Sequence, residues 1–218
     1  MKLFKAVWIY PAIISVLFSC AAVSPAVSPA ASPAVMPEAM EKPPEKPEKP
    51  QLPELIMGKG LVAAKDLSKF LLGSNPGADK SFVEGLAYIY LEEAGIEGVN
   101  HDVAFAQMCL ETGFLKYGGL VTAEMNNFCG LGAMSAEQPG LIFEDTMIGV
   151  RAHIQHLKAY ASAEPLNQML VDPRYRFVRR GSSPRIEGLA GTWAVDPQYA
   201  DKIANILERL YTFSIESL

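Results

Sequence analysis

Glu111 ends a mostly apolar stretch, residues 103–110, and Gly113 closes it. Val103, Ala106, Met108 and Leu110 predict a buried helix, which puts Glu111 in its last turn. Burial disfavours the charged form of a carboxyl and raises its pKa. The negative end of the helix dipole acts in the same direction. A carboxyl so placed can keep a proton near neutral pH and give it to a leaving oxygen, which is the work of a general acid. Spacing alone leaves the other reading open, a surface glutamate at a helix end.

Other groupings point to less chemistry. His153 and His156 stand three apart, as metal ligands on a helix can. No third ligand with suitable spacing accompanies them, so helix packing is favoured, and no metal or other cofactor is expected. The run Arg174, Tyr175, Arg176, Phe177, Val178, Arg179, Arg180 is basic and aromatic. It reads as a solvated face of a small helix, with contact to sugars or peptide carboxylates as the alternative. Cys109 and Cys129 lack the partner cluster of a metal site, but a pair can bridge in an oxidising compartment.

The elements that must position Glu111 are mostly helical. Residues 64–72 form a short amphipathic helix closed by Gly73 and the turn Asn75, Pro76, Gly77. Asp79 is a good N-cap for the next helix, with Phe82, Leu86, Ile89 and Tyr90 on one face and Gly95 and Gly98 at its end. Asp102 is expected to cap the helix that carries Glu111. Residues 112–143, rich in Gly, Asn and aromatics, predict loops and a short irregular hairpin. Residues 146–162 read as a helix with Ile148, Ile154, Leu157 and Ala161 inward. Pro173, Gly181 and Pro184 break up the next stretch. Pro197 is expected to open the last helix, whose apolar stripe is Ile203, Ile206, Leu207 and Leu210. No P-loop, dinucleotide fingerprint or repeat is present.

The 218 residues are 50% hydrophobic and 20% charged, enough for one domain and an extension. A net charge of -5 lacks the basic footprint of a nucleic-acid binder, so no nucleic-acid partner is expected. The extension is N-terminal. Lys2 and Lys5 precede an apolar run, residues 6–18, too short for a comfortable membrane span. Leu17, Phe18, Ser19 and Cys20 then read as a lipobox, making residues 1–19 a lipoprotein signal peptide and Cys20 the lipid attachment site. The alternative is a plain signal peptide with a chance cysteine. Ala21 rather than Asp follows Cys20, which in an envelope with two membranes resembles lipoproteins sorted to the outer membrane, facing the periplasm. Residues 20–55 are a tether: nine of the sixteen prolines lie in 21–55, with too few large apolar groups to fold. At about 3.1 Å per residue it reaches on the order of 100 Å. A proline-rich ligand for another domain is the alternative there. Residues 56–218 remain as the domain.

The run Gln107, Met108, Cys109, Leu110, Glu111, Thr112, Gly113, followed by Asn126, Asn127, Phe128, Cys129, Gly130, Leu131, Gly132, resembles the bacterial glucosaminidases of glycoside hydrolase family 73. The match continues through residues 149–157 and ends with Trp193, Ala194 and Tyr199. This resemblance implies a mainly α, lysozyme-like fold with a short irregular hairpin beside the substrate groove. It implies hydrolysis of the β-1,4 bond on the reducing side of N-acetylglucosamine in peptidoglycan glycan strands. Glu111 takes the general-acid position. Asn126, Asn127 and Phe128 line the sugar groove, with Gly130 and Trp193 among the substrate contacts, Trp193 either stacked on a sugar or in the core beside it. Tyr199 matches a tyrosine near the scissile bond.

A second catalytic group stands some 6.5–9.5 Å from the acid in inverting enzymes and about 5–5.5 Å in retaining ones, or the substrate's own acetamide attacks. Glu144 is the first candidate, with Asp145 and Glu124 behind it; capping of the helix at Thr146 is the competing role for Glu144. Rival readings are a muramidase, a lytic transglycosylase, or a non-catalytic cell-wall-binding lipoprotein. Lytic transglycosylases usually carry Gly-Leu-Met-Gln where Gly130, Leu131, Gly132 and Ala133 stand. Cys20→Ala is expected to release the protein from membranes on fractionation; a variant that still sediments with them removes the lipobox reading.

Overall fold

The computed structural model describes residues 50–217. The expected signal peptide, Cys20 and the expected tether as far as residue 49 lie outside the described residues. The described residues fall in the second of two units, Met1–Lys46 and Pro47–Leu218.

Five α-helices carry the described chain: α1 (Ala64–Ser74), α2 (Lys80–Glu97), α3 (His101–Glu111), α4 (Thr146–Ala161) and α5 (Tyr199–Glu216). Helix α3 is at the centre. Residues 101–109 are all buried, including His101, Asp102 and Gln107. Helix α2 packs against α1, α3 and α4, and α5 packs against α3 and α1. Three short 3-10 turns, Ala123–Met125, Tyr175–Phe177 and Ile186–Leu189, punctuate the loops. This is the mainly helical architecture expected. The irregular hairpin exists in reduced form: Leu141 N–H donates to Leu131 O at 2.8 Å, and Ser135 and Gln138 form one antiparallel bridge at the tip.

Capping follows side-chain reach. Asp79 accepts from Phe82 N at 2.7 Å, as expected. The cap of α3 is Asn100 rather than Asp102: its Oδ1 accepts from Asp102 N at 3.0 Å and Val103 N at 3.4 Å. Asp102 lies inside the first turn and is buried, accepting instead from Leu61 N at 2.7 Å and the Tyr211 hydroxyl at 2.9 Å. Helix α5 begins at Tyr199, two residues after Pro197, because Pro197 and Gln198 form the turn before it. Phe82 is exposed, and Val83 and Ala87 take the inward places beside Leu86 and Tyr90.

The folded unit also takes in residues that composition assigned to the tether. Ile186 N donates to Glu54 O at 3.0 Å and Ile56 N to Pro184 O at 3.1 Å, with Arg185 paired to Glu54 at 2.6 Å. On its other side the same segment meets residues 98–100: Gly58 N reaches Gly98 O, and Asn100 N reaches Ile56 O, both at 2.9 Å.

Two ion pairs pin α4 to α2. Arg151 makes two bonds of 2.9 Å to Glu93. Lys158 meets Glu97 at 2.8 Å with both side chains almost fully buried, and Glu97 also accepts the backbone N–H groups of Asn167 and Gln168. Removing one member of such a pair strands the other charge without compensation. Lys158→Met is therefore expected to lower the unfolding free energy by about 3–5 kcal/mol, measured by urea denaturation; a change below about 1 kcal/mol would sink this account of the clamp.

Candidate active site

Helix α3 stops at Glu111 because the chain turns left-handed directly after it. Gly113, Phe114, Leu115 and Tyr117 have φ of 58°, 58°, 60° and 55°. This region costs a side chain roughly 1–2 kcal/mol per residue, so it must be held from outside. Phe114 N bonds back to Cys109 O at 2.8 Å, Leu115 N to the Thr112 hydroxyl at 3.0 Å, and Asn75 Nδ2 to Phe114 O at 2.9 Å. The Phe114 ring packs edge-on against Phe70. The turn is thus anchored to α1, and Glu111 is left at the very end of a fixed helix.

The Glu111 carboxyl is held by one oxygen. Trp193 Nε1–H donates to Oε1 at 3.0 Å, and the Tyr199 hydroxyl donates to the same oxygen. Oε2 makes no hydrogen bond with any described residue; it lies beside Gly130, where an added Cβ would stand 3.9 Å from it. Burial pushes the Glu111 pKa up, and the two donors pull it partly back. Desolvation wins because it acts on the whole carboxyl while the donors serve one oxygen. Burial and the adjacent Glu111 carboxyl together raise the Tyr199 phenol, so it stays a donor.

Trp193 sits in a tight turn in which Gly191 N donates to Ala194 O at 2.7 Å. Its ring lies among His156, Tyr160 and His153, with centroids 5.1, 5.5 and 5.9 Å away. Behind Tyr199 the polar chain continues. Gln107 Nε2 donates to the Tyr199 hydroxyl at 2.8 Å, His153 Nε2 meets Gln107 Oε1 at 2.9 Å, and Tyr90 meets His153 Nδ1 at 2.8 Å. Burial pushes His153 down to about 3, so the ring is neutral.

The expected site residues therefore divide. Glu111, Tyr199, Trp193 and Gly130 come together. Asn127 and Phe128 are both fully buried, and the Asn127 amide is spent on Leu131 N, Leu131 O and Leu141 O at 2.9, 2.9 and 3.0 Å. They shape the loop that carries Gly130. Asn126 is partly exposed in a left-handed conformation, φ 49°, and its amide donates to Phe143 O at 3.2 Å. This loop lies hard against α4: a Cβ on Gly149 would meet Asn126 O at 1.8 Å. Glu144 is exposed and makes no hydrogen bond or ion pair with a described residue. Capping of α4 falls to Asp145, which accepts from Ile148 N at 2.8 Å. Glu124 is exposed, its carboxyl held low by the Thr122 hydroxyl.

Cys109 and Cys129 are free, buried thiols, so the bridge left open by the sequence is not formed. Burial raises both pKa values. His153 and His156 are both inward, His156 bonded to Asp172 at 2.7 Å, and among the described residues no cluster could hold a metal ion. The run 174–180 is a mostly exposed face whose arginines stack on its own rings, Arg176 over Phe177 at 4.8 Å and Arg180 over Tyr175 at 5.4 Å. Sequence reasoning missed the line of Gln107, His153 and Tyr90. One signal was available: Gln107 is four residues before Glu111, on the same helix face, in an otherwise apolar stretch.

A helical domain whose central helix ends in a partly buried carboxyl, anchored on one oxygen and with no described partner on the other, has a layout that suits a glycoside hydrolase. Comparison with known proteins agrees. The family model for glucosaminidase, described as mannosyl-glycoprotein endo-beta-N-acetylglucosaminidase, matches residues 87–212. The chain belongs to this glucosaminidase family of glycoside hydrolases. It is also 44% identical over 170 residues to an uncharacterised protein of Borreliella burgdorferi, covering 78% of this chain and 83% of that one. No solved structure matches it.

Trp193→Phe keeps a ring but removes the N–H, one of the two donors that favour charged Glu111. Its pKa should then rise further, and a group needed in its acid form stays loaded to higher pH. A lost bond to a charged group, reduced by partial exposure, corresponds to about one pH unit. The basic limb of the rate profile should move up by that much; a limb that stays or moves down contradicts this electrostatic role.

Proposed function

We propose that the protein hydrolyses the β-1,4 bond on the reducing side of N-acetylglucosamine in bacterial peptidoglycan, with Glu111 as general acid. The observation that carries this is the asymmetry of the Glu111 carboxyl. An indole N–H can only donate, so Oε1, which takes both Trp193 and Tyr199, is the accepting oxygen. The proton of the acid form belongs on Oε2, the oxygen that no described residue engages. Burial keeps that proton in place toward neutral pH. As the glycosidic bond breaks, Oε2–H goes to the leaving oxygen. The carboxylate that remains is stabilised by its two donors on Oε1.

Glu144 is the proposed second group, as base or nucleophile. Its freedom from described partners supports this, because Asp145 takes the capping role that competed for it. In the alternative course the substrate's acetamide attacks, and Tyr199 helps to place it. The enzyme is proposed to act from a lipid anchor at Cys20 in the cell envelope, on the outer membrane where there are two membranes, with the proline-rich residues as the reach to the wall.

Glu111→Gln should lower turnover of purified peptidoglycan by at least ~10²–10⁴-fold with melting unchanged. Reduction of the new ends should identify N-acetylglucosamine; a muramic acid end would make the protein a muramidase. Glu144→Gln should reduce turnover by orders of magnitude while glycan binding holds. If Glu144→Gln is near wild type and Tyr199→Phe is severely impaired, the acetamide course replaces it.

A further inference from the structure

We infer that Gln107, His153 and Tyr90 are positioning residues of the reaction: their hydrogen bonds run in one sense and turn the Tyr199 hydroxyl onto Oε1 of Glu111, which leaves Oε2 to carry the proton. This rests on Glu111 being the acid proposed above.

The sense of the line follows from its fixed end. Trp193 can only donate, which makes Oε1 an acceptor. Tyr199 has a single O–H and gives it to Oε1, so its lone pair must receive from behind. Gln107 supplies that with Nε2–H at 2.8 Å, which turns its Oε1 toward His153. His153 must then present Nε2–H, at 2.9 Å, and its Nδ1 must accept. Tyr90 donates into that nitrogen at 2.8 Å. In the opposite sense every group would turn over, and Tyr199 would donate to Gln107 and show Glu111 a lone pair. The acid would then be drawn to carry its proton on Oε1, facing Tyr199 and away from the bond to be cut. The line spans α2, α4, α3 and α5, so the helices that build the core also aim the proton.

Little else charged competes. The titratable groups facing Glu111 are Tyr199 and Cys129, with Asp172 beyond Cys129. Those around Tyr90 and His153 are Cys109, Cys129, Tyr117 and His156, the last bonded to Asp172. Burial keeps both thiols and the Tyr90 phenol in their neutral forms.

The test uses the full chain with His153→Leu, His153→Gln and Tyr90→Phe. Leu removes the donor to Gln107; Gln can offer an N–H near the place of Nε2; Phe removes only the far hydroxyl. The first readout is the titration of Glu111 followed by NMR on protein labelled with ¹³C in the glutamate carboxyls, its resonance identified by its loss in Glu111→Gln. The second is kcat and KM across pH on peptidoglycan. His153→Leu should raise the Glu111 midpoint by about one unit and lower kcat roughly ten- to a hundredfold with KM nearly constant. Tyr90→Phe should move both in the same direction by less, and His153→Gln should return them toward wild type. If the folded variants melt earlier but titrate and turn over as wild type does, the line is packing alone and the inference falls. Should His153→Leu fail to fold, Tyr90→Phe decides by the same two readouts. A wild-type rate for Glu111→Gln would instead overturn the acid assignment itself, whatever the Glu111 midpoints do.

Discussion

A helix with no side facing water must satisfy every polar group it carries from within the protein, and α3 is such a helix. Its partners come from all around it. Asp102 reaches the segment at Leu61 and Tyr211 on α5; His101 reaches Val62 O at 3.0 Å; Thr112 bonds Met108 O and Leu115 N. Gln107 joins α4 to α5. Among the described residues no buried side-chain nitrogen or oxygen is left without a partner. A buried polar group left unmatched costs about 1–3 kcal/mol, so each of these bonds also fixes the placement of the element it reaches. Glu111 is the last residue of the helix itself, and its Oε2 bonds to no described residue.

The same constraint explains which features could be seen in the sequence. Patterning finds helices with one wet face, and the α5 stripe of Ile203, Ile206, Leu207 and Leu210 is buried as read. It finds Glu111 because Gly113 follows the apolar run. It cannot rank Asn100 against Asp102 as a cap, since both suit that role and only the distant Tyr211 and the backbone at Leu61 claim Asp102. The family resemblance reads Asn127 as a groove residue, whereas its amide closes a loop over Leu131 and Leu141, contacts set by three-dimensional placement. The thiols of Cys109 and Cys129 are a similar case: the compartment expected from the sequence would allow a bridge, but Cys109 belongs to the buried face of α3 and both stay free.

The charged pairs between α2 and α4 belong to the same economy of space. Glu93 and Glu97 lie on the inner side of α2, where Arg151 and Lys158 meet them and the backbone at Asn167 and Gln168 completes Glu97. Apolar replacements could match such pairs in stability. With two such ties, the pairs hold α4 in this register on α2. That register sets where Gly149 meets Asn126, and hence where the loop bearing Gly130 lies beside Glu111.

The segment 54–58 has a mechanical meaning. It is laced on one side to residues 184–186 and on the other to residues 98–100. Any pull that reaches the domain along the chain from Pro50 passes into these cross-links. One of them ends on the backbone of Asn100, the residue that caps α3. Load on the incoming chain therefore runs to the head of the helix whose other end carries Glu111. The bonds on both flanks share such a load, so the seam would yield by parting several together rather than by opening one at a time.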